Sequence, residues 1–154
     1  MKQILIALDY DPTAQKIAET GLTLAKSMNA HVTLLHVIAS PAYYSSLDYS
    51  PIMGFNGFGI TDLQNTFIEL KKLSQGFLDK SKEHLGDNSI QTIIKEGDSS
   101  DAILEAAREI HADIIVIGSH SRRGLDKILM GSVTENVLYK TPIPLFIVPT
   151  KTKK

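Results

Sequence analysis

The residues best suited to chemistry lie together at 118–136: Gly118-Ser119-His120-Ser121-Arg122-Arg123-Gly124, a stretch to Met130, then Gly131-Ser132-Val133-Thr134-Glu135-Asn136. Small residues let main-chain amides approach an anion closely. Arg122 and Arg123 either add charge to such a site or are simply solvated loop residues. Gly131-Ser132 opens a helix, whose first amides and positive dipole end suit a phosphate. Ser132-Val133-Thr134-Glu135 is also a capping box, with Ser at the cap and Glu three residues on. Alone it signals a helix start; joined to Gly131 and the upstream loop, it signals an anion site. Both hold if the amides beyond the cap face the phosphates.

Two common phosphate loops do not fit. A Walker A loop needs Lys after its second Gly, but Leu125 follows Gly124. The dinucleotide fingerprint belongs after the first strand, where Asp9-Tyr10-Asp11-Pro12 holds no Gly. Asp9 is a ribose or metal contact or a turn former, and its place after a buried strand favours a role at the ligand. His120 is a ring-stacking or phosphate residue. His36 falls inside a strand, and His31, His84 and His111 fall at element ends. No pair of histidines has metal-ligand spacing with a nearby acid, so no zinc site is expected. No Ser-His-acid or paired-carboxylate arrangement marks a catalytic residue.

The elements that must position these residues follow from periodicity. Ile4 to Leu8 is a near-continuous apolar run, as in a strand covered on both faces, and is too short for a signal-peptide core. Asp11-Pro12 signals a helix start with Asp11 as cap, and Ile17, Ala18, Gly21, Leu22, Ala25 and Met28 follow at helical spacing up to Asn29. Val32–Ile38 is the second strand. Residues 39 to about 60 hold Pro, Gly and aromatics without period, a long loop of the kind that is often functional. A helix from Thr61 or Asp62 carries Leu63, Phe67, Leu70, Leu73, Phe77 and Leu85 on one stripe, ending at Gly86-Asp87-Asn88. Ile90–Lys95, a helix capped by Asp98 with Asp101 in its first turn, Asp113–Gly118, a helix from about Ser132, and Leu145–Val148 complete the series. Strands alternating with helices predict an α/β fold: an open five-stranded parallel sheet with helices on both faces. Ligands of such sheets bind beyond the carboxyl ends of the strands, here after Leu8, Val37 and Ile117.

Composition sets the outer limits. The 154 residues, 43% hydrophobic and 21% charged, fit a single domain over 1–150 with a solvated tail at 151–154. A net charge of −1 offers no field for nucleic acid or anionic lipid. There is no cysteine, and no run approaches membrane-spanning length, so a cytoplasmic protein is expected.

The whole chain resembles the universal stress protein family. Its nucleotide motif is a Gly, two residues, a Gly, nine residues, then Gly with Ser or Thr. Gly118 matches the first position and Gly131-Ser132 the last, with the nine-residue spacing kept; position 121 is Ser where nucleotide-binding members usually have Gly. The Asp9 strand end, Leu35-His36-Val37, Gly97-Asp98 and Pro142-Ile143-Pro144-Leu145-Phe146-Ile147-Val148-Pro149 extend the likeness. The resemblance implies a Rossmann-like sheet in the order 3-2-1-4-5 and an adenine nucleotide, ATP or AMP, as ligand, with Mg2+ or Mn2+ carried by the phosphates. Ala7 and Asp9 would border the adenosine, and the Val37 main chain would contact adenine. The segment Gly118, Ser119, His120, Ser121, Arg122, Arg123, Gly124 would wrap ribose and phosphates, and Gly131, Ser132, Val133 and Thr134 would hold the phosphate chain. It also implies a homodimer paired through the last strand, 145–149, and a role in stress response or regulation without fast catalysis. Alternatives of the same fold are a dimeric interaction module that binds no nucleotide and an ATP-using enzyme.

Overall fold

The computed structural model describes residues 1–9, 12–38, 60–119 and 131–150, and of 60–66 the backbone alone. Along them run β1 (Gln3–Ala7), α1 (Ala14–Met28), β2 (His31–Ile38), α2 (Ile60–Leu85), β3 (Gln91–Glu96), α3 (Ser99–Glu109), β4 (Ile114–Gly118), α4 (Ser132–Lys140) and β5 (Leu145–Val148). The five strands form one all-parallel sheet ordered β3-β2-β1-β4-β5. This is the order the resemblance implied.

The apolar run of β1 lies at the centre, where Ile4, Leu5 and Ile6 are fully buried. Its side chains alternate between two cores, as the two-residue strand period requires. Ile4, Ile6 and Leu8 pack with Ile17, Ala18, Leu22 and Ala25 of α1 and Leu78 of α2. Leu5 and Ala7 pack with Ile103, Ala106 and Ala107 of α3 and Val137 of α4. Helices α1 and α2 therefore cover one face, and α3 and α4 the other. Asn29 ends α1 in the left-handed region at φ 55°, its amide donating to the carbonyls of Ala25 and Lys26, and Gly86 ends α2 at φ 71°.

Two expectations are corrected. Helix α1 begins at Ala14 with Thr13 at the cap and no side-chain capping bond, so Pro12 lies before the helix and not at its first position. Asp11 falls outside the described residues, as do 39–59 and the tail 151–154. In α2, Leu73 is 59% exposed, while Ser74 and Leu78 are buried. Ser74 takes the inward place expected of Leu73, while Phe77 and Leu85 pack against the core as the stripe predicts. Helix α2 is tied to α1 by His84 and Glu19, 2.8 Å apart, with Gln15 bonded to both. These bonds hold the Glu19 carboxyl below its ordinary range, His84 contributing most.

Asp98 caps α3 as expected. Its carboxylate accepts from the Asp101 amide at 3.0 Å and from the Ser100 hydroxyl at 2.9 Å. These bonds, the Asp101 amide first, hold its carboxyl below the ordinary aspartate range. A depressed folded-state value gives stability that is present above about pH 4 and is lost as the pH falls through the lower folded value. Asp98→Ala should cost about 0.5–2 kcal/mol at neutral pH, and Asp98→Asn, which keeps an acceptor, much less. In urea melts the wild type should lose ground against Asp98→Asn only in acid. A gap that does not change between pH 7 and 3 would contradict this.

Candidate functional site

The switch point of the sheet lies between β1 and β4. The chain leaves β1 for α1 on one face and β4 for α4 on the other, so a crevice opens beyond their carboxyl ends. Ala7 ends β1 and is buried, Asp9 follows half-buried, Val37 lies one strand over on β2, and Gly118 ends β4. His120, Ser121, Arg122, Arg123 and Gly124 lie outside the described residues.

The segments at 118–119 and 131–134 meet. The Gly131 amide donates to the Ser119 carbonyl at 2.8 Å, and the Ser119 amide donates to the Val148 carbonyl at 2.9 Å. The Thr134 hydroxyl, fully buried, donates to the Gly118 carbonyl at 2.7 Å. The Ser119 hydroxyl accepts from the Thr150 amide at 3.0 Å. Lys16 of α1 adds a bond from its ammonium to the Pro149 carbonyl at 2.8 Å. Residue 119 is thus clamped to α4 on one side and to the end of β5 on the other.

Gly118 has a packing reason to be glycine. A Cβ there would stand 2.6 Å from Ile17 Cδ1 and 3.0 Å from Thr150 Cγ2. With glycine there, Ile17 of α1 and Thr150 close on the end of β4 without either having to shift.

The start of α4 departs from the capping box. Gly131, and not Ser132, is the N-cap; the Glu135 amide bonds the Gly131 carbonyl, and no side chain caps the helix. Ser132 is the first helical residue and is exposed. Of the four helix-start amides expected to hold the phosphate chain, that of Gly131 is engaged within the protein. It is spent on Ser119, and the Thr134 hydroxyl points inward to Gly118. What remains at the helix start is the amides of Ser132, Val133 and Thr134, which have no partner within a helix.

The carbonyls at the crevice are the complementary feature. Ser119 bonds β5, so strand alternation turns the neighbouring Gly118 carbonyl toward β1, where the Thr134 hydroxyl takes it. The Leu8 carbonyl, at the end of β1, is taken by His36 Nδ1 at 3.0 Å. Bare carbonyl oxygens would repel an anion; side-chain donors engage both. Sequence reasoning did not find Thr134 as a clamp, nor Thr150, Lys16 or His36, because bonds between segments far apart in the chain leave no local pattern.

Among the described residues no group of three or more His, Cys, Asp or Glu is placed to hold a metal ion. No helix among them is long and apolar enough to cross a membrane.

Comparison with known proteins places the chain as a whole. The model of the universal stress protein family matches residues 1–149. Universal stress protein MJ0577 of Methanocaldococcus jannaschii is 32% identical, over 97% of this chain and 96% of its own. The solved structure of MJ0577 superposes with a TM-score of 0.76 at 28% identity, covering 99% of this chain and 98% of that one. A universal stress protein solved in complex with cAMP has the same fold, with a TM-score of 0.60 at 19% identity over 96% of this chain and 95% of that one. With its sequence matched almost end to end and its sheet in the expected order, the chain belongs to the universal stress protein family.

Proposed function

We propose that this chain binds an adenine nucleotide, ATP or AMP, in the crevice beyond β1, β2 and β4, and acts in stress response or regulation in the cytoplasm. The observation that carries the reading is the 2.8 Å bond from Gly131 to Ser119, which brings the uncapped start of α4 against the end of β4. Amides with no side-chain cap beside carbonyls that are already bonded make an electropositive floor suited to phosphates. That a protein of the same fold is solved with cAMP adds support for an adenine ligand. In this reading Ala7 and Asp9 border the adenosine, Val37 meets the base, Gly118 through Gly124 follow the ribose and phosphates, and Ser132, Val133 and Thr134 donate their amides. Gly131 shapes the bend. Mg2+ or Mn2+ would arrive on the phosphates. Any hydrolysis is slow in this reading, since the sequence offers no evident residue to orient an attacking water.

Two copies pair through β5. This strand is the sheet edge, and alternation turns the main-chain groups of Leu145 and Ile147 away from β4. Phe146 is 37% exposed beside them.

The second reading is a dimeric module of this fold that binds no nucleotide. It is favoured by the packing around Gly118, which explains that glycine without a ligand, and by the internal bond that already engages the Gly131 amide. Calorimetric titration of Mg-ATP separates the two. Wild type should bind, and Ser121→Gly should bind up to about fivefold more tightly, the equivalent of relieving about 1 kcal/mol at a position that favours glycine. Binding by neither at millimolar ligand would leave the module. Sedimentation of the same samples reads the pairing, and a strictly monomeric chain would end that part of the proposal.

A further inference from the structure

The parallel ladder between β1 and β2 stops one step early, and a side chain stands where the next bond belongs. The Leu8 amide still donates to the Leu35 carbonyl at 2.8 Å. Register pairs Ala7 with Leu35, so the next bond of the series would run from the Val37 amide to the Leu8 carbonyl. Among the described residues no main-chain bond joins Val37 to β1. The Leu8 carbonyl instead meets His36 Nδ1 at 3.0 Å. A carbonyl oxygen only accepts, so Nδ1 carries the hydrogen. The ring is held in place: His36 is 7% exposed, and it meets the Phe77 ring of α2 edge-on at 5.6 Å between centroids.

We propose that His36 is a positioning residue of the nucleotide site. Its imidazole satisfies the last carbonyl of β1, so the strands part at Leu8 and do not zip one step further. The Val37 amide and carbonyl, which alternation turns toward β1, then face the opened crevice as a donor and acceptor pair. That is the pairing an adenine edge requires, with a ring nitrogen to accept and an exocyclic amine to donate. The inference rests on the nucleotide reading above, but its structural half does not need a ligand.

The test uses the full chain with His36→Phe, which keeps an apolar ring against Phe77, and His36→Asn, which keeps an N–H near the place of Nδ1. Hydrogen exchange without ligand should find the Val37 amide fast in wild type and in His36→Asn. In His36→Phe it should be slowed about tenfold or more as the ladder closes. Titration of Mg-ATP should show about tenfold weaker binding by His36→Phe, with His36→Asn close to wild type. Tripolyphosphate, which lacks the base, should bind all three alike. A Val37 amide as protected as that of Leu35 in wild type overturns the proposal, as does equal ATP binding by all three. Loss of ATP and tripolyphosphate together in His36→Phe overturns it too, since that marks general damage. If exchange shifts as expected but wild type binds no ATP, the nucleotide reading falls and the role of His36 in parting the strands stands.

Discussion

Gly118→Ala should destabilise the protein by about 1–3 kcal/mol, and Ile17→Val in the same chain should return part of that loss. The added Cβ would stand 2.6 Å from Ile17 Cδ1, 3.0 Å from Thr150 Cγ2 and 3.3 Å from Ile17 Cγ1, and the nearest approach is to the one methyl that valine lacks. Ile17 is itself 5% exposed in the core beneath β1, so the side chain has little room to turn aside. Ile17→Val alone should cost about 0.5–1.5 kcal/mol, the usual loss for one buried methylene. The two losses should therefore fall well short of adding. A double-mutant cycle from urea melts reads the coupling directly, and strict additivity would show that Gly118 is not there to admit Ile17. The cycle also bears on function. If the double variant keeps wild-type affinity for Mg-ATP, the glycine at 118 serves the packing of α1. If stability returns while affinity does not, the same glycine is needed by the ligand as well.

Much of the fold could be read from residue patterns, for physical reasons that differ between elements. The β1 run is legible because a strand buried on both faces needs no polar alternation, and Ile4, Leu5 and Ile6 show none. The end of α1 at Asn29 and the start of α3 at Asp98 are legible because caps are local and depend on a single side chain. Strand order is different. Alternation of strands and helices implies a parallel sheet, but the order came from the family resemblance, since any right-handed arrangement satisfies the same pattern. Helix α2 departs from its apolar stripe at Leu73 because the inward row includes Ser74, whose polar side chain breaks that stripe. At the candidate site, the place of Gly131 and Ser132 at a helix start was legible, but which of them caps it was not. The cap was settled by the Glu135 amide choosing the Gly131 carbonyl, while the bend itself is tied to Ser119, twelve positions away. Such closures carry no period and no composition.

Thr134 is where these closures concentrate, and Thr134→Val should expose it. Valine matches the shape of threonine but cannot donate, so the substitution leaves the Gly118 carbonyl buried without its 2.7 Å bond. An unsatisfied buried acceptor costs about 1–3 kcal/mol, which for a domain of this size lowers Tm by roughly 2–10 °C. Thr134→Ser keeps the hydroxyl and gives up one methyl, so its loss should be the smaller of the two. The reverse order would mean that packing, and not the bond, fixes residue 134. The consequence for binding follows from position. Thr134 lies in the first turn of α4 and its hydroxyl ties that turn to β4 beside the Gly131–Ser119 bond, so releasing it loosens the amides of Ser132 and Val133 together. Mg-ATP affinity should therefore fall in Thr134→Val and hold in Thr134→Ser. A Thr134→Val protein that is destabilised yet binds nucleotide as wild type does would show that the phosphate floor does not depend on this tie, and would move the search for the phosphate donors away from α4.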